Sequence, residues 1–107
     1  MNKLFEILVP TMYGDTVKPI STKHHKEWDK VVRSLSGGLT ILKVGKGQWI
    51  YQNNLFEERV IPVRIFTDDK TMKKIIDFSF QHYRQIAIMY YVVSTECYIV
   101  DNPKLKK

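Results

Sequence analysis

Side chains that could recognise a small ligand are concentrated between residues 37 and 66. Trp49 provides an aromatic surface for stacking, while the carboxylate of Glu58 or the guanidinium of Arg64 could hold the polar end of a ligand. The same residues also fit a structural role, in which Trp49 packs on a sheet and Glu58 accepts its indole N–H. We predict a ligand site at five side chains: Tyr13, Gln48, Trp49, Glu58 and Arg64.

Metal and catalytic chemistry have less support in the sequence. His24 and His25 are adjacent, so on a helix their side chains point about 100° apart and cannot share an ion as histidines spaced i, i+4 do. His82 is distant in sequence, and Asp68 with Asp69 precede a predicted helix, where carboxylates cap the first turn. We predict no metal site, no cofactor and no catalytic residue, and we favour a binding module over an enzyme. A small-molecule enzyme with its site at the hairpin or at a dimer interface is the less favoured alternative.

The composition is that of one globular domain. The chain has 107 residues, 44% of them apolar, and we assign residues 1–103 to a single α+β domain and residues 104–107 to a basic, disordered tail. Cys97 is the only cysteine, and its apolar neighbours predict a small buried side chain. No apolar run reaches the ~20 residues of a membrane span, and residues 1–10 do not read as a signal peptide, which favours a cytoplasmic location.

The formal net charge of +6 makes nucleic acid an alternative partner. Contacts to phosphate require only positive charge, and eight basic side chains would lie on the outer faces of two predicted helices: Lys23, Lys26, Lys30, Arg33, Lys70, Lys73, Lys74 and Arg84. Against this alternative, the chain lacks the aromatic stacking signature of RNA-recognition domains.

Apolar periodicity and capping residues predict the order of the elements. A strand over residues 4–9 ends at Pro10, and a helix capped by Ser21 or Thr22 ends at Gly37-Gly38. A hairpin fills residues 37–66, a second helix runs from Asp68 to about residue 84, and a last strand covers residues 86–93. This order predicts an α+β, ferredoxin-like βαββαβ sandwich, with two helices on one face of a four-stranded antiparallel sheet.

The hairpin is expected to turn at Asn53-Asn54, because Asn tolerates the positive φ of a tight turn. This register places Trp49 opposite Glu58 and Gly45 opposite Pro62. Proline cannot donate to a ladder and glycine often marks a bulge, so we expect an irregular ladder at residues 45–47 opposite Pro62.

The first and last predicted strands have no polar face. Residues 4–9 carry a single charged side chain, Glu6, and residues 86–93 carry none. A sheet with one solvated face should alternate apolar and polar residues, and a large exposed apolar face is unusual for a monomer. We predict a homodimer that covers this face, sheet to sheet or through swapped hairpins.

The segment GGLTILKVGKGQW, with Glu58 nine residues after Trp49, resembles a family of small bacterial domains of unknown function that carry a Gly-Leu-Thr run and a Gly-Gln-Trp motif. The resemblance extends to ISTKHHKEW before this segment and to VVSTECYIV after it. It implies an α+β fold and no particular activity.

Overall fold

The structure is a computed structural model that describes residues 1–13 and 18–105. These residues form five strands and two α-helices in the predicted order: β1 (Lys3–Pro10), α1 (Thr22–Ser36), β2 (Thr40–Ile41), β3 (Gly45–Tyr51), β4 (Asn54–Thr67), α2 (Asp69–Tyr83) and β5 (Tyr90–Ser94). The antiparallel sheet has the order β2-β4-β1-β5, and β3 also pairs with β4. The ferredoxin-like α+β fold is confirmed, with one predicted strand divided into β2 and β3.

Both helices begin at the predicted caps. The Ser21 side chain accepts a hydrogen bond from the His24 backbone N–H at 3.1 Å, and the Asp68 carboxylate accepts one from the Thr71 N–H at 2.7 Å. Helix α1 ends at Gly37, which has φ 91° and donates its N–H to the Arg33 carbonyl at 2.8 Å. These local signals fix where α1 and α2 start relative to the sheet.

Gly37→Ala should lower the free energy of unfolding by about 1 kcal/mol, because a β-carbon is unfavourable at positive φ. The space around the position is open, so the loss would come from the backbone alone. Urea denaturation measures it, with Gly38→Ala as the matched control, since Gly38 is equally open and has no positive φ. Equal losses in the two variants would contradict this explanation.

The core lies between the helices and one face of the sheet. Alternate residues of β1 and β4 point into it, and the buried helix residues meet them there: Phe5, Ile7, Val9, Val63, Ile65, Trp28, Val32, Met72, Ile75 and Tyr83. Leu35 and Phe80 continue the apolar periodicity of α1 and α2, which predicts that they are buried, but they are 41% and 38% exposed. The apolar face of each helix is therefore narrower than its periodicity predicts.

The hairpin turns one residue earlier than predicted. Gln52 and Asn53 have φ values of 50° and 63°, and Tyr51 pairs with Asn54 across the turn. The observed register pairs the apolar residue Ile50 with Leu55. Cross-strand apolar pairs outweigh the preference of Asn-Asn for the turn.

The predicted pairing of Trp49 with Glu58 is consequently wrong. Trp49 lies opposite Phe56, and Glu58 lies opposite Gly47. The predicted pairing of Gly45 with Pro62 is also wrong, because Gly45 lies opposite Val60.

An irregular ladder does occur opposite Pro62, although at residues 42–44 rather than 45–47. Ile41 pairs with Val63 and Gly45 with Val60, so three residues of one strand face two of the other. The Pro62 carbonyl accepts from the Leu42 N–H at 2.9 Å. The break thus lies where proline has no N–H to donate.

The last strand is shorter than predicted and begins at Tyr90 instead of residue 86. Cys97 is half-buried in a segment without strand pairing, so it is less buried than its apolar neighbours predict. Pro103–Leu105 form a single exposed 3-10 turn. The described residues leave out residues 14–17, between β1 and α1, and residues 106–107 at the end of the tail. The assignment of residues 104–107 to a disordered tail stays a prediction.

Candidate functional site: a histidine cluster between the helices

The predicted hairpin site is not a recess between Trp49 and Glu58. The Trp49 ring stacks on Phe56 with centroids 6.0 Å apart and planes at 15°. Burial raises the pKa of Glu58, which lies diagonally from Trp49 in the ladder. Gln48 donates to the Glu57 carboxylate at 2.6 Å on the opposite face of the hairpin.

Arg64 lies in the middle of the sheet and forms a salt bridge with Glu6. Its Nε atom is 2.9 Å from a Glu6 carboxylate oxygen, and the Tyr91 hydroxyl donates to the other oxygen. Burial would raise the pKa of Glu6, but the hydrogen bonds from Tyr91 and Arg64, together with the Arg64 charge, hold it below its ordinary value. This trio is on the sheet face away from the helices, because Glu6 alternates with the core residues Phe5 and Ile7.

Tyr13 lies at the ends of the helices, where its ring neighbours are a histidine of α1 and the arginine that follows α2. Its ring centroid is 5.2 Å from that of His24, and the guanidinium of Arg84 lies 5.8 Å from the Tyr13 centroid. The structure therefore separates the five predicted ligand-site residues, and their ligand-binding role stays a prediction.

The eight basic residues proposed for nucleic acid are all exposed on α1, on α2 or directly after α2. Their exposure agrees with contact to phosphate and equally with simple solvation. Nothing else among the described residues points to nucleic acid.

Two histidines that are 58 positions apart in sequence meet where α1 and α2 pack together. The rings of His24 and His82 are stacked, with centroids 3.7 Å apart and planes at 10°. His82 is distant from His24 in sequence but in contact with it in the fold, so treating the two as unrelated was wrong. Phe78 and Tyr83 flank the His82 ring, with centroids at 5.1 and 5.0 Å.

Each ring of the pair is held by the backbone of the other helix. His24 Nε2 is 2.7 Å from the His82 carbonyl oxygen, and His82 Nε2 is 2.7 Å from the His24 carbonyl oxygen. A carbonyl oxygen can only accept, so each Nε2 carries a proton and each neutral ring has its lone pair on Nδ1. Both tautomers and both ring orientations are thus determined by the fold.

A carboxylate completes a potential ligand set. One nitrogen of His24, one nitrogen of His82 and one carboxylate oxygen of Glu27 lie within 4.8 Å of one another. Glu27 is one helical turn after His24, and it is exposed while both histidines are half-buried. Two imidazoles and one carboxylate are a common donor set for zinc and for related transition metals.

His25 belongs to a separate interaction on the adjacent side of α1. Its Nδ1 atom is 2.7 Å from the Tyr83 hydroxyl. Burial lowers the pKa of His25, although the nearby charge of Asp29 opposes this effect. Burial, with smaller contributions from Asp29 and Tyr13, raises the pKa of Tyr83 far above its ordinary value, so its hydroxyl keeps its proton. The direction of its hydrogen bond with His25 follows the tautomer of that imidazole.

The contact between Trp28 and Ser79 holds the two helices at the distance that the histidines require. Trp28 is 1% exposed and donates its indole N–H to the Ser79 hydroxyl at 2.8 Å, which in turn donates to the Ile75 carbonyl at 2.6 Å. Trp28 follows His24 by one turn, and His82 follows Ser79 by three residues. The buried hydrogen bond therefore aligns the helix faces that carry the pair.

Solved structures with the same fold have titles that name divalent cation tolerance proteins. No family model and no curated protein matches the chain. "Structure of the Periplasmic divalent cation tolerance protein CutA from Archaeoglobus fulgidus" is similar with a TM-score of 0.68 at 11% identity, over 92% of this chain and 88% of that one. The corresponding Thermus thermophilus protein gives 0.65 at 12% identity, over 97% and 89%, and "Crystal structure of CutA1 from Oryza sativa" gives 0.68 at 8%, over 92% and 83%.

At these identities the likeness establishes the fold alone. The shared fold is α+β, as the sequence resemblance implied. That resemblance was to a family of unknown function, whereas the titles of these structures name the CutA proteins. Among residues 1–13 and 18–105, no helix is long and apolar enough to cross a membrane.

The histidine pair was missed because sequence reasoning compared the histidines only with their chain neighbours. A usable signal existed in helical spacing. His24 precedes the apolar residue Trp28 by four positions, and His82 follows Ile75 by seven, so both histidines lie on the stripes predicted to face the core. Two histidines on facing helix stripes are a hint of contact that periodicity can supply.

Proposed function

We propose that this protein is a non-enzymatic binding module that takes up one divalent transition-metal ion at His24, Glu27 and His82. The observation that carries the proposal is the convergence of three donor atoms within 4.8 Å. The titles of its structural neighbours, which name divalent cation tolerance, support the same ligand class.

The donor chemistry selects the class of ion. Imidazole nitrogen with carboxylate oxygen suits Zn²⁺, Cu²⁺, Ni²⁺ or Co²⁺, whereas Ca²⁺ and Mg²⁺ prefer oxygen donors alone. The backbone carbonyls that accept from His24 and His82 act as outer partners, since they fix the ring tautomers in the way usual for metal-bound histidine.

The geometry indicates a site that exchanges its ion with solvent. Tetrahedral zinc with bonds of ~2.0–2.1 Å needs donor atoms about 3.3 Å apart, so side chains separated by up to 4.8 Å must rotate to close on the ion. Exposed Glu27 supplies part of this freedom. An ion lies in the plane of each imidazole that binds it, so at least one of the two parallel rings must also turn out of the stack when the ion binds. Three protein donors leave a fourth position for water, as in sites that do not enclose their metal completely.

Isothermal titration of the whole protein with Zn²⁺, Cu²⁺ and Ca²⁺ tests the proposal. We expect one Zn²⁺ or Cu²⁺ per chain and no saturable Ca²⁺ binding. His82→Gln removes a ligand of the metal. It should therefore weaken Zn²⁺ binding more than loss of a group that hydrogen-bonds to a ligand, which typically costs roughly 10- to 100-fold in affinity.

His25→Gln is the matched control, since His25 is the neighbour of His24 but bonds to Tyr83 and lies outside the donor set. It should leave zinc affinity within a few fold of the original. Circular dichroism shows whether each variant remains folded. Absence of zinc binding to the original protein, or equal losses in the two variants, would exclude this site.

Self-association is a second proposal, carried by the large apolar side chains that the single chain leaves in solvent. The chain measures 55 × 28 × 25 Å, and the exposed residues lie mainly on the hairpin and in and around β5: Trp49, Ile50, Tyr51, Leu55, Phe56, Ile86, Met89, Tyr90, Val92 and Val93. Exposure on this scale marks an interaction surface in a folded protein. We therefore propose a homo-oligomer, of which the predicted homodimer is the simplest form.

The cytoplasmic location predicted from the sequence remains a prediction. "Periplasmic" is said of the Archaeoglobus fulgidus protein in its title.

A further inference from the structure

An open cavity of about 390 Å³ lies between the segment before α1 and the end of α2. Five described residues line it: Tyr13, Lys18, Pro19, Ser21 and Arg84. Two of these side chains are cationic, and none of the five is acidic. The volume is within the range of ~300–1,000 Å³ that small-molecule sites have. We call this space the loop cavity, and its charge favours an anion.

Main-chain hydrogen bonds hold the wall of the loop cavity that precedes α1. The Tyr13 N–H donates to the Lys18 carbonyl at 3.1 Å, and the Ile20 N–H donates to the Thr11 carbonyl at 2.9 Å. Ile20 is 8% exposed and belongs to the core. The backbone at Tyr13 and Lys18 is therefore fixed before a ligand arrives, which lowers the entropy lost on binding.

Arg84 lines the loop cavity from the other helix, as the first residue after α2. Its backbone is left-handed, with φ 54° and ψ 38°, a conformation in which glycine is the usual residue at a helix end. Its guanidinium carbon is 5.8 Å from the centroid of the Tyr13 ring. A guanidinium attracted to an aromatic face keeps the N–H groups of its fork available to a ligand. Tyr13 thus positions the Arg84 cation at the cavity.

We propose that the loop cavity binds a small organic anion that carries at least two carboxylate or phosphate groups. The planar fork of Arg84 matches one such group through two parallel hydrogen bonds, and Lys18 attracts a second group as a point charge. Tyr13 and Pro19 offer apolar surface to the carbon skeleton between the two groups. A ligand with a single anionic group satisfies only one of the two cations, so the pair selects for the larger charge.

Ser21 adds a neutral donor to the loop cavity. Its side-chain oxygen accepts from the His24 N–H at 3.1 Å as the N-cap of α1, and the same hydroxyl can donate its proton to an anion. The positive end of the α1 dipole adds to the charge of the two cations at this place.

The loop cavity is separate from the proposed metal site, although the two adjoin. The Tyr13 ring centroid is 5.2 Å from that of His24. None of the three metal donors, His24, Glu27 and His82, is among the described residues that line the cavity. Anion binding therefore goes beyond the proposed metal function and does not require it.

Isothermal titration of the whole, metal-free protein tests the proposal, with citrate, succinate and acetate as probes. These anions carry three, two and one carboxylates, and the buffer is kept at low ionic strength because salt screens exposed charges. We expect one citrate per chain and saturable binding of succinate. Acetate should bind roughly 10-fold more weakly than succinate, because it has no second group for Lys18.

Arg84→Gly is the decisive variant, because glycine favours the left-handed backbone of this position and the fold is kept. It should weaken citrate binding roughly 10- to 100-fold through the loss of charge-assisted hydrogen bonds. Lys18→Gln, at an exposed position, should also weaken it, by a smaller factor. Lys70→Gln is the matched control, since it removes the same charge near the other end of α2, and it should leave the affinity within about twofold. Circular dichroism and urea denaturation show whether each variant remains folded.

The outcomes decide the proposal and keep it apart from metal binding. Absence of saturable citrate binding, or equal losses in Arg84→Gly and Lys70→Gln, overturns the site. Citrate affinity that is unchanged in both Arg84→Gly and Lys18→Gln shows that the anion binds elsewhere, and acetate that binds as tightly as succinate overturns the need for two groups. If citrate binds and Zn²⁺ does not, the loop cavity stands and the metal proposal fails, whereas the converse result leaves only the metal site.

Discussion

Trp28→Ala should lower the free energy of unfolding by about 3–5 kcal/mol, the usual cost of removing a large buried aromatic side chain. Trp28 is 1% exposed and lies between the helices, with its ring centroid 6.1 Å from that of Tyr83. Domains of this size are stabilised by only about 5–15 kcal/mol, so the variant should be close to unfolding at 37 °C. Chemical denaturation at one protein concentration gives the value, since association makes stability concentration-dependent.

Two milder variants separate packing from hydrogen bonding at this position. Trp28→Phe keeps most of the ring but removes the N–H that Ser79 accepts, and Ser79→Ala leaves that N–H buried without a partner. We expect losses of about 1–3 kcal/mol for Ser79→Ala, and a coupling of about 1 kcal/mol in the double-mutant cycle. A coupling near zero would show that the 2.8 Å hydrogen bond contributes nothing to stability.

The same variants connect stability with the proposed metal site. If the contact of Trp28 with Ser79 aligns the helices, Ser79→Ala should weaken zinc binding more than Gly37→Ala does, because Gly37 lies at the far end of α1. Equal zinc affinities in the two variants would show that the histidine pair does not depend on this contact.

What the sequence could predict was local, and what it missed depends on contacts between distant segments. Ser21, Asp68 and Gly37 lie at helix ends, where one or two neighbours decide the structure, and their roles were predicted. The hairpin register depends on which apolar pairs form across two strands. Because the turn lies one residue earlier than predicted, Trp49 is not opposite Glu58 as expected. Pro62 did interrupt the ladder, but the position of the break followed the true register.

In the candidate site, too, the features that the sequence did not predict are contacts between distant segments. His24 and His82 come together because α1 and α2 both pack on the same sheet face, which neither helix sequence specifies alone. Arg64, chosen as a ligand residue for its charge, instead neutralises Glu6 across the sheet. A charged residue in a central strand is therefore as consistent with an internal pair as with a ligand.

Glu6 should make stability depend on pH in the acid range. Its carboxylate is buried in the trio with Arg64 and Tyr91, and its pKa in the folded protein lies below the ordinary value of 4.5. A carboxyl group whose pKa is lower in the folded protein adds stability at pH values above its unfolded-state pKa. This stability is lost as the pH falls through the folded-state pKa. The contribution is thus complete at neutral pH and declines below about pH 4.5.

Glu6→Ala should lower the free energy of unfolding by about 1–2 kcal/mol at neutral pH, because it removes two hydrogen bonds to a charged acceptor. The loss is limited because half-exposed Arg64 and exposed Tyr91 can partly return to water. Glu6→Gln is the matched variant, because it keeps the shape and can still accept but has no charge to titrate. The gap in unfolding free energy between the original protein and Glu6→Gln should therefore be largest near pH 7 and shrink below pH 4.5. A gap that is constant across this range would show that Glu6 has no depressed pKa, and one that widens in acid would reverse the sign of the argument.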